Sequence, residues 1–523
     1  MALRFRARDD LAERTLADLA DDIDELRSLA KSQLQRLRAA RLEIEKSRGG
    51  FRPRTLRTEL AQLRSAEDTF RSYEQTLGDC SRDVSRSVVS IDRLRAVKSE
   101  YADLLRLQQG ISAALIAGSD WQSPVFEGAG YPTAGRHNGN VVEHVDDYKR
   151  DRHPGERSFE ASYLREYVDA THGLKLGAAM TACGMAAFTT ILHFLCSTLD
   201  PSRPVVAVRG MYHECRGLLA DSPLGPRVHW VDDSNTAEIN SACRRLQPAA
   251  LLLDSMCNSK GLAVPDVRGL LLNLAGSTRR DLYVVVDNTC APIFCQPFDT
   301  PLWNAHLRVV MFESLTKYAQ FGFDRVAAGI IVAPKREIDQ LDGLREHLGA
   351  NIADVCVSAI PEPDRALFSR RLRRIERNAR LLAQHIAQCA ESHRAHVKVV
   401  YPGLPSHECH GVARRLGFYG GFFALSLTQE DFSPDAQGHL VSELIRAARR
   451  CEVNLVASAS FGFNVTRVYR TATEIGLGPF VRIAAGTEDR MEIEDLKRVF
   501  SMVFERTVRA DVSISINRRE QFG

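Results

Sequence analysis

The chain predicts an α/β protein built around a mainly parallel sheet, with a helical extension at its N-terminus and a smaller α+β domain at its C-terminus. Three observations carry this. Short β-branched runs alternate with helix-length stretches through the middle of the chain. A region rich in leucine and charge, with helical period, precedes them. A second set of strand-like runs follows one long basic helix that begins near Asp364. The expected boundaries are 1–118 for the extension, 119–365 for the α/β domain and 366–523 for the C-terminal domain.

In the extension, "LADLADDIDELRSLAKSQLQRLRAARLEIEK" places Leu16, Leu19, Ile23, Leu26 and Leu29 on one helical stripe. "SRGGFRP" breaks that helix. "TLRTELAQLRSAEDTFRSYEQTL" supplies a second, and the stretch from "SRDVSRSVVSIDRL" to "ISAALIAG" a third. The result is a helical hairpin or small bundle, too interrupted for a long coiled coil, with packing or oligomer contact as its expected role. A turn-rich linker, "GSDWQSPVFEGAGYPTAGRHNGN", follows.

Six strands are then expected in "PVVAV", "RVHWV", "ALLLD", "LYVVVD", "RVVMFE" and "AAGIIVAP". The long helix "RALFSRRLRRIERNARLLAQHIAQ" leads to strands in "HVKVVYP", "GGFFALSL", "NLVASASF" and "FVRIAAG". The net charge of +3, from 69 basic and 66 acidic residues, calls for neither nucleic acid nor an anionic membrane as partner. No apolar run reaches the length of a membrane span and no signal-peptide pattern opens the chain, so a cytoplasmic protein is expected. The 12 cysteines show neither C-x-x-C pairs nor zinc spacing, so neither disulfides nor a metal is expected.

Ligands of open α/β sheets gather beyond the carboxyl ends of the strands. Two candidates stand there: Asp287, closing "LYVVVD", and Lys317, in "ESLTKY" just after an apolar run. A third feature is "TACGMAAFTTILHFL", where Gly184 opens an apolar helix whose free N–H groups suit a phosphate. Reactive lysine, buried carboxylate and phosphate-binding helix start are what pyridoxal 5′-phosphate (PLP) requires. Lysine condenses with its aldehyde, the carboxylate keeps its pyridine nitrogen protonated, and Ser314 and Thr316 suit the phosphate as hydroxyl donors.

From about Val142 to Phe500 these blocks, in order, resemble the Cys/Met-metabolism or transsulfuration enzymes of PLP fold type I, such as cystathionine γ-synthase, the cystathionine lyases and methionine γ-lyase. The resemblance implies that fold for the large domain. "YKRDRHP" is similar to the family's Tyr-x-Arg-x-x-Asn-Pro segment, implying that Tyr148 and Arg150 reach the phosphate in a neighbouring subunit. "TACGMAAF" resembles Ser-Gly-Met-Ala-Ala, giving Gly184 and Met185 a backbone role, with Cys183 in place of serine. Tyr212 in "VRGMYHECRG" stands where the family stacks a tyrosine on the cofactor and uses it in proton transfer. By the same likeness Asn258 approaches the cofactor's 3′-oxygen, Asp287 and Lys317 keep their roles, Arg482 pairs with the substrate α-carboxylate, and Ser460 stands beside it. Shared sites imply a homo-oligomer, at least a dimer and expected as a dimer of dimers.

The departures concern the substrate. After Lys317 the family continues Gly-Gly-His-Ser-Asp, whereas "YAQFGFDRVAAG" carries an extra residue and no histidine. "SFGFNVTRVY" has Val465 at the nearest register to the acid of a cystathionine γ-synthase. His213 and Glu214 either contact a substrate side chain, act as an acid/base pair, or are polar residues behind the pocket. The expected activity is elimination or replacement at the γ-carbon of a non-standard amino acid with an acyl-oxy, thiolate or halide leaving group, including alkyne formation from a halogenated vinyl amino acid. The alternatives are a C–S β-lyase releasing thiol, pyruvate and ammonia, and a catalytically degenerate PLP-binding scaffold or sensor.

Overall fold

The computed structural model describes residues 2–46, 53–85, 89–118, 154–232, 235–300, 304–393, 397–427, 434–471 and 480–520. The first helices are α1 (Ala2–Lys46), α2 (Pro53–Ser85), α3 (Ile91–Gly118) and α4 (Pro154–Tyr167), followed by β1 (Leu176–Thr181) and α5 (Gly184–Thr198). Then β2 (Val205–Val208), α6 (His213–Asp221), β3 (Val228–Val231), α7 (Thr236–Leu246), β4 (Ala250–Asp254), α8 (Val267–Ser277) and β5 (Leu282–Asp287) alternate. Next come β6 (Leu307–Ser314), β7 (Gly329–Pro334), α9 (Lys335–His347), α10 (Asp354–Ala359) and α11 (Arg365–Ser392). The last part holds β8 (Val397–Val400), α12 (His410–Leu416), β9 (Phe422–Leu427), α13 (Pro434–Arg450), β10 (Val456–Ala457), β11 (Arg467–Arg470), β12 (Val481–Ala484) and α14 (Arg490–Glu520). Met1–Ser197 with Phe312–Leu367 form one compact unit, and Thr198–Met311 with Phe368–Gly523 a second. Among the described residues no helix is long and apolar enough to cross a membrane.

In the first unit α1 packs on α2 and α3. Ile23, Ala30, Leu37 and Ile44 of α1 and Leu63, Phe70 and Leu77 of α2 recur every seven residues and are buried, the spacing that keeps an apolar seam facing a neighbouring helix. Within the predicted stripe Leu19, Ile23, Leu26 and Leu29 are buried, while Leu16 is half-buried. The third helix begins at Ile91; Ser81–Ser85, expected to open it, instead continue α2. β1 pairs antiparallel with β7, from Leu176 opposite Pro334 to Thr181 opposite Gly329. This strand was not expected from "LGAAMT", whose small residues have weak β preference.

In the second unit β3, β2, β4 and β5 are parallel neighbours in that order. β2, β4 and β5 are buried along their length, which is why they read as continuous Val/Leu runs. Two of the connecting helices start on side-chain caps: Asn235 accepts from the N–H of Ala237 and Glu238 at α7, and Asp266 from Gly269 at α8. A separate five-stranded sheet runs β10-β11-β12-β9-β8. β12 lies between β11 and β9, with Arg482 opposite Tyr469 on one side and Ala424 on the other. The expected strand in "NLVASASF" shortens to Val456–Ala457, because Ser460 takes a left-handed backbone, φ +73°, which ends any extended run.

Candidate active site

In the first unit β6 ends at Ser314, and the chain passes through Leu315 and Thr316 to Lys317, which is half-buried. Ser314 Oγ lies 2.8 Å from Thr316 Oγ1, so two hydroxyls form one polar patch just ahead of the lysine. α5 starts against that patch. A Cβ on Gly184 would stand 2.6 Å from Ser314 Cβ and 3.0 Å from its Oγ, an approach only glycine permits. Cys183 accepts the Ala186 N–H on its Sγ at 3.3 Å, performing at this helix start the capping that a serine oxygen supplies elsewhere. Met185 shares the first turn of α5. A positive helix end and two hydroxyls on one spot suit a phosphate dianion.

Gln320, not singled out from the sequence, governs the stretch after the lysine. It is fully buried. Its Nε2 donates to the Thr316 carbonyl at 2.6 Å, and its Oε1 accepts the N–H groups of Arg325 at 3.0 Å and Val326 at 3.2 Å. The loop between is wound through left-handed residues, with φ +53° at Phe321, +80° at Gly322 and +52° at Asp324. The departure "AQFGFD" is therefore a tight, internally bonded turn tied to the residue before Lys317. Its only sequence signal was the departure itself.

In the second unit Asp254 and Asp287 end β4 and β5 in register with each other. Asp287 is buried and accepts the Thr289 N–H at 2.9 Å. Asp254 accepts the Tyr212 N–H at 3.0 Å, which brings that tyrosine to the carboxyl ends of these strands. Burial and the neighbouring Glu214 carboxylate both raise the Tyr212 hydroxyl above its ordinary pKa, so it stays protonated at neutral pH. His213 packs edge-on to Tyr212, with centroids 4.8 Å apart, and its Nε2 lies 4.0 Å from Glu214 Oε1. Both residues are exposed at the start of α6. Burial, with Asp287 and Asp254 nearby, pushes the Cys215 thiol well above its ordinary range.

Arg482, only 6% exposed, donates from Nη1 to Asn258 Oδ1 at 3.0 Å and from Nη2 to the Ser460 carbonyl at 3.4 Å. Phe461, Phe422 and Tyr469 surround its guanidinium at 5.7, 5.8 and 5.9 Å. Asn258 and Ser460 thus both meet Arg482, the serine through its main chain. Behind them Arg371 of α11 donates to the Gly462 carbonyl at 3.2 Å and to Asn464 Oδ1 at 2.6 Å. Tyr148 and Arg150 lie outside the described residues.

The first unit's glycine-only cradle, two hydroxyls and lysine suit the phosphate and aldehyde of PLP, and the second unit's buried carboxylate on a parallel strand end suits its pyridine nitrogen. Comparison with known proteins agrees. The chain is 27% identical over 346 residues to the bifunctional enzyme flvA of Aspergillus flavus, covering 65% of this chain and 40% of that protein. It is 28% identical over 276 residues to L-methionine gamma-lyase of Pseudomonas deceptionensis, covering 50% and 63%, so it spans less than two thirds of either relative. Cystathionine gamma-lyase of Bacillus subtilis matches at 24% over 382 residues, 71% of this chain and 92% of that one. Among solved structures, cystathionine gamma synthase from Xanthomonas oryzae pv. oryzae, in complex with cystathionine, superposes with a TM-score of 0.55 at 20% identity over 76% of this chain and 99% of its own, a likeness of fold. Residues 117–501 match the family described as Cys/Met metabolism PLP-dependent enzyme, and it is to this family, with its fold type I architecture and its cofactor, that the chain belongs.

Proposed function

We propose that the protein catalyses elimination or replacement at the γ-carbon of an L-amino acid whose side chain carries no second amino-acid head group. The observation that carries this is the setting of Arg482: a buried guanidinium among Phe422, Phe461 and Tyr469, with Val465 where a cystathionine γ-synthase would have an acid. A guanidinium matches a carboxylate in a fork, and its apolar neighbours favour an uncharged side chain over one ending in a zwitterion.

In this reading Gly184, Met185, Ser314 and Thr316 hold the phosphate, with Tyr148 and Arg150 reaching it from a neighbouring subunit of a homo-oligomer. Lys317 would hold the aldehyde carbon, Asp287 the pyridine nitrogen and Asn258 the ring oxygen, with Tyr212 against the ring. The cofactor, when bound, supplies the electron sink that lets protons leave Cα and Cβ. Lys317 Nζ would take and return those protons. The Tyr212 hydroxyl, kept protonated by burial and by Glu214, donates to the departing group. Arg482, oriented by the Ser460 carbonyl that accepts from its Nη2, fixes the α-carboxylate end.

The test is a panel of O-acyl-homoserines, thioether and γ-halogenated amino acids and S-alkyl-cysteines, assayed for ammonia and the accompanying keto acid. A γ-elimination gives 2-oxobutanoate from a four-carbon substrate, whereas pyruvate would establish the β-lyase. Bound cofactor without turnover across the panel would point to a scaffold or sensor.

A further inference from the structure

The helical extension precedes the family match, which begins at residue 117, yet it is bonded into the unit that carries Gly184 and Lys317. Helix α10 is only six residues long, and its last carbonyls need partners from outside the helix. They receive them from the extension. Arg36 of α1 donates from Nη1 to the carbonyls of Ser358 at 3.0 Å and Ile360 at 2.7 Å, and its Nε and Nη2 fork onto Glu362 Oε1 at 2.7 and 2.5 Å. Gln109 of α3 donates to the Ala359 carbonyl at 3.0 Å and to Gln33 Oε1 at 3.1 Å, while Gln33 donates to Ser112 Oγ at 2.7 Å. Gln33, Gln109 and Ser112 are buried, so this polar network fixes how α1 and α3 meet the α10 segment.

The same segment reaches the phosphate-binding turn. The Ala350 carbonyl accepts the Ala182 N–H at 2.9 Å, two residues before Gly184. Arg345, at the end of α9, donates to the Met180 carbonyl at 2.8 Å and pairs with the buried Glu156 of α4. Further along α4, Tyr163 donates to Glu313 at 2.6 Å, next to Ser314. Hydrogen bonds, joined by short stretches of main chain, thus connect Arg36 and Gln109 to both walls of the Gly184 cradle.

We propose that the N-terminal extension is a positioning element for the phosphate site: by capping α10 through Arg36 and Gln109 it sets the spacing between the Ala182–Gly184 turn and Ser314, and so the grip on the cofactor's phosphate. This rests on the reading of the Gly184 turn as the phosphate site.

The experiment compares full-length wild type, the double variant Arg36→Ala/Gln109→Ala, the milder Arg36→Lys and, as a control, Gly184→Ala. Each cofactor-free chain is titrated with PLP and with pyridoxal, which lacks the phosphate, and hydrogen exchange is followed over residues 354–362. In the double variant exchange speeds up over that segment and PLP affinity falls about tenfold, with little change for pyridoxal. Arg36→Lys, which keeps the charge opposite Glu362 but not the fork, gives a smaller loss of the same kind. Equal losses for PLP and pyridoxal would mean general loosening and would overturn the proposal, as would no loss for either. If Gly184→Ala alters the preference for PLP and the double variant does not, the positioning role alone fails. If Gly184→Ala leaves that preference intact, the phosphate assignment fails and the positioning role falls with it.

Discussion

Replacing Arg482 by lysine keeps the charge and most of the length, so it isolates the guanidinium geometry. The side chain is 6% exposed, and little water is at hand to replace a lost donor. Two of its five N–H groups go to Asn258 Oδ1 and the Ser460 carbonyl, and a forked carboxylate takes two more. An ammonium has three donors. With two spent on Asn258 and Ser460, it offers the substrate one bond instead of two. A hydrogen bond to a charged partner is worth about 1.5–3 kcal/mol, and the weaker contact of an ammonium with three aromatic faces adds a further ~0.5 kcal/mol. The loss in kcat/KM is then about 2–3.5 kcal/mol, or roughly thirty- to three-hundredfold. It should fall on KM, because the carboxylate is held alike before and during reaction. The assay is steady-state kinetics on the best substrate of the panel and on its α-carboxamide. Discrimination between the two should collapse in the variant. A fall of less than about threefold in kcat/KM, with discrimination intact, would refute Arg482 as the carboxylate partner.

Lys317→Ala should remove the visible absorption of lysine-bound cofactor and lower turnover by about a thousandfold or more; an unchanged spectrum would reject the lysine assignment. Gln320→Ala strands the Thr316 carbonyl and two N–H groups, and denaturant titration should show roughly 2–4 kcal/mol of lost stability. Glu488 is buried, with its carboxyl pushed up to about 7 by burial and by Glu492, against the N–H bond from Thr466. Its native pKa lies above the unfolded one, so between about pH 4.5 and 7 the native state holds a proton that the unfolded state has lost. Stability therefore falls as pH rises through that window, by on the order of 3 kcal/mol for this group; Glu488→Gln should reduce the dependence between melts at pH 5 and pH 8, leaving the share of Glu160, which burial also pushes up to about 7.

Much of this was legible because it is local. Continuous Val/Leu runs mark parallel strands buried on both faces, and Asp287 and Lys317 declare themselves by standing where such runs stop. β1 was not legible, since Leu176–Thr181 is held by its antiparallel partner and not by its own residues. Nor was β11, where arginines at both ends of Arg467–Arg470 mask a four-residue strand. The contact of Asn258 with Arg482 joins residues 224 apart in the chain, and that of Arg36 with Glu362 joins residues 326 apart. No periodicity encodes such pairs. Cys183 is a different case: its position was legible, but a thiol is so weak an acceptor that its capping bond emerges only from the geometry.

The two segments that depart most from the family pattern share a construction that bears on substrate choice. After Lys317 the chain turns through left-handed residues, and the buried amide of Gln320 ties the turn shut. Around Ser460 it turns through left-handed Ser460 and Gly462, and the buried Arg371 holds Gly462 and Asn464 from behind. Left-handed backbone at a non-glycine residue costs of order 1 kcal/mol or more and persists only where its surroundings hold it. Here buried polar side chains do so: Gln320 in the first segment, and Arg371 with Arg482 on the Ser460 carbonyl in the second. Both segments are therefore shaped by the protein's own side chains, and selectivity should respond to Gln320 and Arg371 as strongly as to residues that face the substrate. Asn464→Ala removes one anchor of Arg371 and leaves Arg482 in place. If it changes the ranking of substrates in the panel while Arg482 still discriminates acid from amide, the loop's fixed shape, and not closure upon binding, sets the choice.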